Sequence, residues 1–67
     1  MQLYWDTTYA VAVALIEQYP DLDPVEIGLV ELVSLVENLP DFADDTAVTE
    51  RMLQDIQITW YEETTNP

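Results

Sequence analysis

Five aspartates sit where this chain has to turn: Asp21 and Asp23 between Pro20 and Pro24, and Asp41, Asp44 and Asp45 just after Pro40. Carboxylates on turns can converge on one hard cation more readily than carboxylates spread along a helix. An all-oxygen set of this kind suits magnesium, calcium, manganese or ferrous iron, held weakly with water completing the shell. The spacing is not that of an EF-hand, since no glycine and no closing glutamate stand at the required offsets. The same residue types are also what turns and helix starts use for ordinary structural reasons. Asp23 and Asp45 read as helix caps, and Asp21, Asp41 and Asp44 as turn formers.

The rest of the composition narrows the chemistry. Fourteen acidic side chains stand against a single base, Arg51, which gives 67 residues a formal net charge of −13. A partner must therefore be basic or a cation. Nucleic acid and anionic lipid are poor partners, because gripping phosphate requires Lys and Arg to replace its counterions. Cysteine and histidine are absent and so is lysine, so there is no thiolate, no imidazole base or ligand and no Schiff-base amine. A two-carboxylate enzyme would need a cleft and one desolvated acid, which a short chain with one glycine has little room to build. The expectation is a protein that binds rather than catalyses. Ser34, the only serine, lies between Val33 and Leu35 inside an apolar stretch. It lacks the helix-start context that would carry a prosthetic arm.

These residues need a scaffold, and its elements are legible. The chain is 49% apolar, too rich for an acidic disordered tail, and its length predicts one domain over residues 1–67 with a small core. Asp6, Thr7 and Thr8 are N-cap types ahead of an apolar, alanine-rich stretch carrying Val11, Leu15 and Tyr19 at helical spacing, which Pro20 ends. Asp23-Pro24-Val25-Glu26 reads as a second helix start, with Pro24 at the first helical position. Ile27, Leu32, Val36 and Leu39 continue that run, and Gly28 is placed to divide it into a short and a longer piece. Residues 38–46 read as a loop anchored by Phe42. A last helix capped by Asp45 or Thr46 follows, with Leu53, Ile56 and Trp60 on its apolar side and a fraying end from Glu62. Trp60 reads as core, and Trp5 as the residue that holds the N-terminal arm to it. The first residues lack a basic n-region and no apolar run can span a membrane, which leads to the expectation of a soluble, cytoplasmic protein. The fold class expected is mainly all-α, a compact domain of three to four helices.

Four segments in order, Leu3-x-Trp5, Tyr19-Pro20-Asp21-Leu22-Asp23-Pro24, Leu39-x-Asp41-Phe42-x-Asp44-Asp45, and Glu50-Arg51-Met52-Leu53 through Trp60, resemble the IscX family of bacterial iron–sulphur cluster assembly. The resemblance implies a helical domain similar to a winged helix or helix-turn-helix. The acid excess argues against the DNA binding that such a shape often serves. It implies docking of an acidic surface on a basic patch of a cysteine desulfurase, with weak ferrous iron binding and no tightly bound cofactor. Asp21, Asp23, Asp41, Asp44 and Asp45 match the acidic positions of the family and inherit both the metal and the partner-binding role. Glu62 and Glu63 match its acidic end and inherit partner binding. Composition alone fits a second reading equally well, an acidic decoy of nucleic acid that covers a basic protein surface. The aliphatic run Gly28-Leu29-Val30-Glu31-Leu32-Val33 departs from the family pattern and marks a candidate surface for an additional partner or for self-association.

Overall fold

The computed structural model describes residues 2–44 and 47–65. In it helix α1, Thr8–Gln18, leads through a short 3₁₀ turn, Pro24–Glu26, to α2, Leu29–Glu37, and after a loop to α3, Glu50–Thr65. The fold is all-α, as the periodicity predicts. The one strand-like pairing among the described residues is an isolated parallel bridge between Leu3 and Phe42.

Thr7 occupies the N-cap of α1 without capping it. Its hydroxyl turns back instead, accepting from the Tyr4 amide at 3.0 Å and donating to the Tyr4 carbonyl at 2.8 Å. The side chain thus clamps the arm before the helix rather than the helix itself. Val11, Ala12 and Leu15 face inward, and Tyr19 closes the helix just ahead of Pro20.

Gly28 does divide the second apolar run. Ile27 and Gly28 are both extended, so the 3₁₀ turn cannot continue into α2. This break lets Ile27 enter the core at its own angle, and it is buried there. Asp23 behaves as the cap its position predicts, its Oδ1 accepting from the Val25 amide at 3.0 Å.

Two expectations for α3 are corrected. Its cap is Thr49, whose Oγ1 accepts from the Met52 amide at 3.1 Å; Asp45 and Thr46, the residues expected there, lie outside the described residues. The helix also does not fray at Glu62 but runs to Thr65, whose hydroxyl donates back to the Tyr61 carbonyl at 2.9 Å. The hydroxyl thus adds a second donor to a carbonyl of the last turn.

The core gathers Val11, Ala12 and Leu15 of α1, Leu32 and Val36 of α2, and Leu53, Ile56 and Trp60 of α3, with Leu3, Trp5, Ile27 and Leu39 from the connections. Every residue that the spacing placed on the inner face of α2 and α3 is there. Trp60 is about fully enclosed, at 1% exposure. No helix among the described residues is long and apolar enough to cross a membrane.

Candidate functional site

The acidic positions occupy two turns, each held by a different device. Asp21 and Asp23 lie on the turn between α1 and the 3₁₀ segment, and both are exposed. Breaking the helix at Ile27 leaves the Pro24 carbonyl with only a long bond, 3.4 Å, from the Ile27 amide, and ends the turn at the Ile27 carbonyl. Gln57 of α3 serves both carbonyls: its Nε2 donates to Pro24 O at 2.7 Å and to Ile27 O at 2.8 Å. One amide on α3 therefore fixes the turn that presents Asp21 and Asp23. Gln57→Ala is expected to cost about 1–2 kcal/mol, because the Ile27 carbonyl loses the glutamine donor and the Pro24 carbonyl keeps only its long bond from the Ile27 amide. The expected signs are a lower urea midpoint and altered amide shifts confined to the Asp23–Gly28 segment. An unchanged midpoint would show that water replaces the glutamine at no cost.

The second turn is held by the N-terminal arm. The Leu3 amide donates to Asp41 O at 2.8 Å and the Ala43 amide to Leu3 O at 2.9 Å, which makes the parallel bridge. Trp5, 2% exposed, stands edge-on to Phe42 with ring centroids 4.8 Å apart. Its backbone amide donates to Asp44 Oδ2 at 3.1 Å. Asp41 faces solvent while Asp44 is half-buried against the arm. Asp41 also walls a shallow groove of about 310 Å³ that follows the outer side of α1 from Tyr9 to Glu17.

Asp45 is outside the described residues. Glu62 is exposed on α3, and Glu63 is half-buried. Glu63 stands beside Tyr9: its carboxylate repels charge on the phenolate and accepts the phenol's hydrogen bond, and both raise the Tyr9 pKa above its ordinary value. That contact joins the start of α1 to the end of α3 and has no local signal in the sequence.

Among the described residues no group of three or more acidic side chains is placed to hold a metal ion. Two of the candidates already spend a carboxylate oxygen on backbone amides, Asp23 at Val25 and Asp44 at Trp5. Arg51 pairs with Asp55 at 3.9 Å, with both side chains at least half exposed, a contact of little energetic weight.

One surface escapes a reading by acids and periodicity. Val25, Ile58 and Tyr61 are exposed at 65%, 57% and 46%, and with Gln57 they line a hollow of about 290 Å³ between the 3₁₀ turn and α3. The available signal was Ile58, two residues past buried Ile56 and therefore turned away from the Leu53, Ile56 and Trp60 stripe.

Taken together, these features define a small all-helical domain that carries Asp21, Asp23, Asp41 and Asp44 on two braced turns. The chain belongs to the iron–sulphur cluster assembly family, the IscX type: the family model for iron–sulphur cluster assembly matches residues 3–65. It is also similar to the uncharacterized protein PA3808 of Pseudomonas aeruginosa, 38% identical over 64 residues that cover 94% of this chain and 97% of the relative. No solved structure matches it.

Proposed function

We propose that this protein is a non-enzymatic adaptor of iron–sulphur cluster assembly that docks its acidic turns on a basic surface of the cysteine desulfurase. The observation that carries the reading is that Asp21, Asp23, Asp41 and Asp44 stand on turns fixed by the core, through Gln57 on one side and the Leu3–Trp5 arm on the other. Carboxylates held this way lose little further freedom on binding, so more of each charged contact appears as affinity. Asp45, Glu62 and Glu63 are further partner-binding residues in this proposal. The net charge of −13 supplies long-range attraction that speeds encounter, and short contacts to Arg and Lys fix orientation.

Ferrous iron enters only as a weak ligand drawn to the turn acids Asp21, Asp23, Asp41, Asp44 and Asp45. The described carboxylates do not fit an inner-sphere site by themselves, and no step of the docking runs through a metal. Membership of the family favours this reading over an acidic decoy of nucleic acid.

Titration of the purified protein against cysteine desulfurase at rising salt tests the proposal. Binding is expected at low salt and should weaken about tenfold or more between 50 and 200 mM, as wet charged contacts do. No binding at low salt, or affinity indifferent to salt, would sink it.

A further inference from the structure

We infer that the hollow between the 3₁₀ turn and α3, formed by Val25, Ile58 and Tyr61, is the apolar anchor of the docking surface and receives an exposed apolar side chain of the same basic partner. The inference rests on the docking reading above and adds what that reading lacks, a contact that does not depend on charge.

Three large apolar side chains converge there while every other side of α3 offers either core or polar residues. A scattered exposed residue needs no explanation, but a shared concave patch on so small a domain does. The rim decides what can cover it. Asp55 and Glu62 lie on the same stripe of α3 as Ile58, three residues before and four after it. Beside Val25, Asp23 is tied to the Val25 amide at 3.0 Å, and Glu26 is the next residue along the chain. The hollow is therefore a mainly apolar floor, shared with Gln57, whose lining residues have carboxylates as neighbours, Asp55 among them paired with Arg51. A second copy of this chain would bring two such rims together, and the repulsion of like charges opposes that pairing. A surface with one apolar side chain among Lys and Arg matches both the floor and the rim. Desolvation of the centre by the apolar contact would also strengthen the charge pairs around it.

The test compares wild type with Ile58→Ala and, separately, Val25→Ala in binding to full-length cysteine desulfurase across a salt series. Both positions are more than half exposed, so both variants should keep the wild-type urea midpoint, which is measured alongside. Each is expected to weaken binding about tenfold, by the same factor at every salt concentration, since truncating an anchor removes apolar contact and no charge. Wild-type binding with unchanged affinity in both variants overturns the anchor and leaves the docking reading standing. Absence of any wild-type binding overturns both. Sedimentation of the protein alone should show a monomer. A concentration-dependent dimer abolished by Ile58→Ala would assign the hollow to a second copy and overturn the proposed occupant.

Discussion

Trp5→Ala should lower the stability of this domain by about 3–5 kcal/mol, the usual cost of emptying a buried tryptophan site. A chain of this size has on the order of 3–10 kcal/mol in total, so the variant is expected to be largely or partly unfolded at room temperature. The loss is larger than the removed area suggests because Trp5 does two tasks. Its ring fills the core beside Phe42, and its position in the arm keeps the Leu3–Phe42 bridge and the Asp44 contact in register. Urea unfolding followed by the remaining tryptophan, Trp60, measures the effect. A milder variant, Phe42→Leu, keeps the arm sequence and should lose about 1 kcal/mol, the edge-to-face contact and part of the burial. Its amides at Leu3 and Ala43 should exchange faster than those of α2. Should Trp5→Ala unfold at the wild-type midpoint, the arm would not be part of the folded unit and the loop acids would not be braced by it.

Reversing one acid on each turn, Asp21→Lys with Asp41→Lys, is expected to weaken docking by about 2–3 kcal/mol, or about 30- to 150-fold at low salt. Each substitution removes an attraction and installs a repulsion. At a wet rim each such change is on the order of 1 kcal/mol or less, and two sites together reach the figure given. Asp21 and Asp41 are the right choices because Asp23 and Asp44 also hold the backbone, at Val25 and Trp5, so changing those would confound binding with folding. Most of the loss should appear in the association rate and fade as salt rises. The informative control carries the same charge change elsewhere, Glu31→Lys with Glu37→Lys on α2. If the control loses as much as the turn variant, the partner reads total charge rather than these turns, which is the behaviour of a charge decoy. A turn variant that binds like wild type would remove the turns from the interface.

The inner faces of the helices were legible because a core imposes a period. Leu32 and Val36 on α2, and Leu53, Ile56 and Trp60 on α3, recur at helical spacing and are all buried. The punctuation was legible too: Pro20 closing α1, Asp23 capping at Val25, Gly28 separating the 3₁₀ turn from α2. Each of these works through its own backbone within a few residues. The two misreadings at α3 have the opposite origin. Thr49 took the cap because the core fixes where the helix can begin, and an adequate hydroxyl stood at that point. The end stayed helical to Thr65 because Trp60 anchors the preceding turn and Thr65 closes the last one on itself.

What the sequence by itself determined is the sign and the grammar of this protein. A net charge of −13 favours basic or cationic partners over anionic ones, and prolines stand beside five aspartates of the connections. Family motifs then placed the chain in iron–sulphur cluster assembly. Only the tertiary structure decided which of these acids are spoken for, how the turns are held, and what lies beside them. Gln57 reaching Pro24 and Ile27, Trp5 meeting Phe42 and Asp44, and Ile58 sharing a hollow with Val25 all join residues far apart in the chain. No local period encodes such pairs, because they arise only when separate segments are pressed against one core.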